Sequence, residues 1–189
     1  MTSKVLLAPD CVIDWKSSPH MLVSGVTGST KTNTLEDVLL STMSVKSRID
    51  SRKRGMGAKV YIIDGKGADL ASLKMLKPAV TPNQAARLLR VLTQNMHKRY
   101  SHFAGDFGKV ASDYQINGRR VRDIVLIIDE LAVLLNDPKL RSEILRYLFE
   151  LLIAARQASI YVPLRGVLGS CWNSASVCRN TSARYHITI

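Results

Sequence analysis

The sequence predicts an α/β fold built on a parallel sheet flanked by helices. Two observations carry that expectation. Four short, almost wholly apolar runs are spread along the chain, at 20–25, 60–64, 121–130 and 158–164, and helix-like segments separate them. Runs of this kind, lacking strict apolar–polar alternation, mark strands covered on both faces, as in a parallel sheet between helix layers. The second observation is size. At 189 residues with 46% hydrophobic content, the chain is long enough for one domain with a sizeable core. That excludes a disordered tail, a collagen-like fibre and a disulfide-stapled miniprotein.

Each element has its own local reason. HMLVSG (20–25) leads through the glycine-bearing turn GVTGSTKT (25–32) into TLEDVLLSTMSV (34–45), where Leu35, Val38, Leu39, Met43 and, more loosely, Val45 recur at helical spacing. A basic, glycine-bearing loop, KSRIDSRKRGMGAK, leads to the second run, VYIID. Pro82 stands at a first helical position before NQAARLLRVLTQNMHKRY, a long helix with Ala85, Leu88, Leu89, Leu92 and Met96 on one face. In the polar stretch that follows, Asn117-Gly118 has the chemistry of a two-residue hairpin turn. The run VRDIVLIIDE, the helix KLRSEILRYLFELLIAARQ and the run ASIYVPL complete the pattern.

Charge is the outlier in composition. Lys and Arg number 27 against 15 Asp and Glu, a net +12 that predicts attraction to a polyanion, either nucleic acid or an anionic membrane surface. Cys11, Cys171 and Cys178 form no CxxC pair and no pattern with the four histidines, so inert thiols in a reducing cytoplasm are expected. The longest apolar runs, such as IVLII (124–128), fall far short of the roughly 20 residues a membrane span needs. No charged-then-apolar leader opens the sequence. A cytoplasmic, soluble protein, or one held at a membrane by an anchored partner, is the expectation.

Two segments carry chemistry. The first is the turn Gly25, Val26, Thr27, Gly28, Ser29, Thr30, Lys31 and Thr32 between a strand and a helix. There, successive backbone N–H groups and a helix N-terminus converge on phosphate oxygens. Lys31 supplies a cation for the β- and γ-phosphates of ATP, and the Thr32 hydroxyl a ligand for Mg²⁺. The pattern G-x-x-x-x-G-K-[ST] is met except at its second glycine, where Thr30 brings a Cβ close to the phosphates at a conformational cost of about 1 kcal/mol or more.

The second segment is VLIIDE (125–130), an apolar strand ending in two carboxylates at the sheet edge where α/β proteins bind ligands. Asp129 is positioned to hold Mg²⁺ and Glu130 to polarise an attacking water as general base. Both segments together, in this order and both at strand ends, read as a P-loop NTPase.

Four ordered motifs, SPHMLVSGVTGSTKT, VYIIDGKGADLASLK, NMHKRY and VLIIDELAVLL, together resemble the FtsK/SpoIIIE family of DNA-translocating ATPases over residues 18–162. The resemblance implies a RecA-like core that hydrolyses ATP to move along double-stranded DNA as a ring of subunits. It also implies that Lys31 and Thr32 take phosphate and Mg²⁺, Asp129 the metal, Glu130 the water, and that Asp64 and Lys66 lie near the nucleotide or a subunit boundary. The basic positions Lys46, Arg48, Arg52, Lys53 and Arg54, and the cluster Arg119, Arg120 and Arg122, suit contact with a phosphate backbone.

The resemblance stops near Val162. Family members continue with a segment like "LATQRP", whose polar residue senses the γ-phosphate; here Pro163 falls inside the expected strand and a short tail holds two of the three cysteines. The expected organisation is therefore a motor core over 1–162 and an atypical tail over 163–189. The fold would be incomplete at its C-terminal end, with an exposed sheet edge. The competing reading is a degenerate, non-hydrolysing remnant that binds DNA or a partner.

Overall fold

The computed structural model describes residues 4–8, 11–15, 17–25, 31–43, 45–46, 53–54, 57–165, 177–178 and 185–188, several of the short strands by backbone alone. In chain order the strands and α-helices are β1 (Lys4–Ala8), β2 (Cys11–Asp14), β3 (His20–Gly25), α1 (Lys31–Thr42), β4 (Val45–Lys46), β5 (Lys53–Arg54), β6 (Lys59–Asp64), α2 (Pro82–Phe103), β7 (Gln115–Ile116), β8 (Arg119–Arg120), β9 (Ile124–Asp129), α3 (Leu131–Leu134), α4 (Arg141–Ala154), β10 (Ile160–Arg165), β11 (Val177–Cys178) and β12 (Tyr185–Thr188).

The four predicted apolar runs become β3, β6, β9 and β10, which lie side by side in the order β3-β10-β9-β6, all parallel. Every residue of β9 and β10 is buried. Their side chains alternate between two cores. Ile124, Leu126 and Ile128 of β9 join Ile160, Val162 and Leu164 of β10 in a core covered by α2 and α4. Val125, Ile127 and Tyr161 face the other way, onto Leu35, Val38 and Leu39 of α1 and onto Ile13 and Trp15. Trp15 stacks on Tyr161 with ring centroids 5.7 Å apart.

Local signals act as expected. Thr81 caps α2: its side chain accepts from the Gln84 N–H, the Gln84 side chain accepts from the Thr81 N–H, and Pro82 opens the first turn. Asn117 and Gly118, with φ of 52° and 70°, turn β7 into β8 as the two-residue hairpin requires. Helix α1 ends at Thr42, so Val45 does not continue the apolar stripe but opens β4.

Three features depart from expectation. The β1–β2 hairpin, which the sequence pattern did not announce, packs its Ile13 against the α1 side of the sheet. Pro163 does not break its strand: β10 pairs with β3 on one side and β9 on the other. The β9 register is matched at Ile160, Tyr161 and Leu164 but not at Val162 or Pro163, where proline has no N–H to donate. Finally, the β3 edge is covered. β12 pairs antiparallel along it, Tyr185 opposite Gly25 and Thr188 opposite Leu22, and β11 pairs with β12. The tail thus closes the edge that a shortened core was expected to expose.

Candidate functional site

The C-terminal edge of the parallel sheet gathers the chemistry. β3 ends at Gly25, and α1 begins at Lys31. One strand away from β3, across β10, β9 ends in Asp129, and Glu130 follows. Asp129 shares the parity of Val125 and Ile127, so it belongs to the face that α1 covers. The end of β3, the start of α1 and the carboxylate pair are therefore brought to one edge, with Asp129 on the α1 face. Val26, Thr27, Gly28, Ser29 and Thr30 lie outside the described residues, as do the side chains of Lys31 and Thr32.

Glu130 adopts a left-handed backbone, φ 52° and ψ 56°, between the end of β9 and α3. A non-glycine residue there is strained by roughly 1 kcal/mol, and such strain is tolerated where it aims a side chain. Gly65 accommodates this turn. A Cβ on Gly65 would lie 2.3 Å from the Glu130 carbonyl oxygen, so only glycine lets the two strand ends approach. The Gly65 N–H donates to the Asp129 carbonyl at 2.9 Å, which locks the approach.

Asp64 pairs in register with Asp129 on the neighbouring strand. Its carboxylate is fully buried and accepts four backbone N–H groups, from Lys66 at 3.1 Å, Gly67 at 3.0 Å, Ala68 at 3.1 Å and Ala71 at 2.8 Å. That makes Asp64 the organiser of the turn after β6. It stands beside Asp129 on the neighbouring strand, while Lys66 is exposed.

Asp129 is 2% exposed, and burial pushes its pKa up to about 6. Arg165 opposes that shift, whereas the charges of Asp64 and Glu130 add to it. The Arg165 guanidinium, at the end of β10, contacts Asp129 Oδ1 through Nε and approaches Glu130 Oε2 through Nη2 at 3.7 Å. Arg165 is the residue at this edge that sequence reasoning did not single out. Its signal was an arginine closing an apolar run, just as Asp129 closes its own.

A divalent ion bound at Asp129 Oδ1 would have to displace the Arg165 guanidinium, a buried cation that already faces that oxygen. Among the described residues no three His, Cys, Asp or Glu side chains converge on a metal-sized position.

The other motif residues do structural work at the opposite edge. Arg99 of α2 donates to the carbonyls of Ala158 at 2.5 Å and Arg122 at 2.8 Å, and the Tyr100 hydroxyl donates to the Ala154 carbonyl. The "M-x-x-RY" motif therefore ties α2 to the starts of β9 and β10. The hairpins β4–β5 and β7–β8 also lie at this edge, since each precedes a parallel strand (β6 and β9) and the Ala58 N–H donates to the Thr42 carbonyl at 3.0 Å. Lys46 stands opposite Lys53 in the first ribbon, and Arg119 and Arg122 are exposed in and beside the second. Arg48 and Arg52 lie outside the described residues, as do Cys171 and the side chains of Cys11 and Cys178. No helix among the described residues is long and apolar enough to cross a membrane.

Comparison with known proteins agrees with this architecture. Among curated relatives, the DNA translocase FtsK of Caldanaerobacter subterraneus subsp. tengcongensis is 31% identical over 158 residues, covering 80% of this chain and 21% of that protein. The DNA translocase SftA of Bacillus subtilis is 32% identical over 136 residues, covering 66% of this chain and 13% of that one. The chain thus spans about a fifth or less of the length of these two relatives. Among solved structures, the pCW3 conjugation coupling protein TcpA, in its monomer form with ATPγS, superposes with a TM-score of 0.69 at 24% identity, over 87% of this chain and 48% of that one. Thermomonospora curvata EccC superposes with a TM-score of 0.63 at 20% identity, over 87% of this chain and 29% of that one. The fold is that of RecA-like P-loop ATPases. With the FtsK/SpoIIIE family matched across residues 4–153, spanning both the phosphate-loop strand and the carboxylate strand, the chain belongs to that family.

Proposed function

We propose that this chain is the nucleotide-binding core of an ATP-dependent double-stranded DNA translocase. The observation that carries the reading is that the end of β3, the start of α1 and the Asp129-Glu130 pair lie at one edge of the sheet, with Asp129 on the face that α1 covers. In this reading residues Gly25 to Thr32 wrap the triphosphate, with backbone N–H groups and the N-terminus of α1 directed at it. Lys31 neutralises the β- and γ-phosphates, and the Thr32 hydroxyl lies beside them. Glu130 orients water against the γ-phosphate and accepts its proton. The left-handed backbone at Glu130, accommodated by Gly65, sets the direction in which its side chain leaves the strand end.

DNA is assigned to the opposite edge. Two short basic hairpins lie there, separated from the nucleotide edge by six-residue strands, or about 20 Å. Arginines and lysines bind a phosphate backbone without reading bases, which is what movement along arbitrary sequence demands. The net charge of +12 agrees. The names of the relatives, DNA translocases, and the ATPγS of the TcpA structure support the same reading. A ring of copies, and attachment to a membrane through an anchored partner, belong to the proposal as properties of the assembly.

The test is phosphate release with and without linear duplex DNA, in the native chain and in Arg165→Met. Duplex DNA is expected to stimulate release in the arginine variant, and Glu130→Gln in that background to reduce it by about 100-fold or more. DNA affinity is expected to fall steeply with added salt. Absence of DNA binding, or release indifferent to Glu130, would overturn the assignment.

A further inference from the structure

Arg165 is a side chain with no counterpart in the P-loop logic laid out above. It ends β10, the strand between the phosphate-loop strand and the carboxylate strand, and its side chain is 8% exposed. Its parity along β10 matches that of Tyr161, so it faces the α1 side, as Asp129 does. A buried guanidinium persists only when its charge is compensated, and here the compensation is Asp129, contacted directly, with Glu130 at 3.7 Å. A divalent ion taking Asp129 Oδ1 would compete with the guanidinium Nε for that oxygen and would meet the charge repulsion of the buried arginine.

We propose that Arg165 is a built-in cation standing in place of a divalent metal at Asp129, so that the folded chain takes up nucleotide phosphates without metal while the pair is closed. The nucleotide half of this statement rests on the phosphate-loop reading; the metal half does not. With the pair closed, Asp129 is neutralised by a cation that cannot coordinate a phosphate oxygen as a metal does, and the Glu130 carboxylate is drawn toward the guanidinium instead of a water.

The metal half is tested without nucleotide, by counting Mn²⁺ bound in electron paramagnetic resonance titrations of the native chain, Arg165→Met, and Arg165→Met with Asp129→Asn. Methionine keeps the aliphatic bulk and removes the charge; Arg165→Gln takes its place if the methionine variant does not melt cooperatively. The native chain is expected to bind no Mn²⁺ at this position. The Arg165 variant is expected to gain one site, and Asp129→Asn to remove it. A native chain that already binds Mn²⁺ in an Asp129-dependent way, or a folded Arg165 variant that gains no site, overturns the assignment.

The nucleotide half is read separately with a fluorescent ATP analogue in Mg²⁺ and in EDTA. The native chain is expected to bind about equally in both, and Arg165→Met to bind about tenfold or more tightly with Mg²⁺. Native binding that disappears in EDTA also overturns the assignment. If the analogue binds neither protein while the variant still gains its Mn²⁺ site, the phosphate-loop reading fails and the role of Arg165 stands.

Discussion

His20 opens β3 with its ring largely buried, its pKa drawn down to about 4 by burial. The sign of the consequence follows from linkage. Between pH 6.5 and about 4 the unfolded chain binds a proton at this ring that the folded chain refuses, so acid weakens the fold over that window. His20→Gln is expected to remove this component. The stability gap between variant and native chain, read from urea midpoints, should shift in favour of the variant by about 2–3 kcal/mol from pH 7 to pH 4. A gap independent of pH would contradict the burial of the ring. At this scale Asp129 and Glu130 were legible only in combination: acids often close apolar strands, and it was the phosphate-loop pattern earlier in the chain that singled this pair out. Arg165 and the fourfold clamp by Asp64 were not, because both depend on which strand ends become neighbours in space.

Strand β10 shows how an element survives a residue unsuited to it. Pro163 occupies a position between two strands, with the ladder to β9 intact before and after it. The bonded pairs on either side imply that residue 163 would donate to the Leu126 carbonyl. Pro163→Val supplies that donor and a β-branched side chain, so the variant is expected to be more stable by about 1 kcal/mol, measured as a raised urea midpoint with unchanged slope. A lower midpoint would mean that the strand is shaped around the proline ring. The elements themselves were mostly visible in the sequence: the capping box at Thr81, the Asn117-Gly118 turn and the four apolar runs each carry a local cause. The β1–β2 hairpin and the β12 pairing were hidden because their stability comes from Trp15 packing on Tyr161 and from the open edge of β3, which are tertiary facts.

Across the whole molecule the sheet separates two sets of residues. One edge gathers the end of β3, the start of α1, the carboxylates and Arg165; the other gathers the basic hairpins and the Arg99 and Tyr100 ties. The α/β class, the parallel sheet and the family could all be read from motif order, because that order dictates which strand ends share an edge. The opposition between a metal at Asp129 and the arginine beside it could not, since it arises only when β10 is inserted between β3 and β9. The central claim is that the β3–α1 turn binds a nucleotide despite Thr30. Isothermal titration calorimetry of the native chain with ATP tests it most directly: saturable heat at one site per chain is expected, weakened about tenfold or more by Lys31→Ala. A cooperatively folded chain that gives only heat of dilution, or binding untouched by Lys31→Ala, would contradict it.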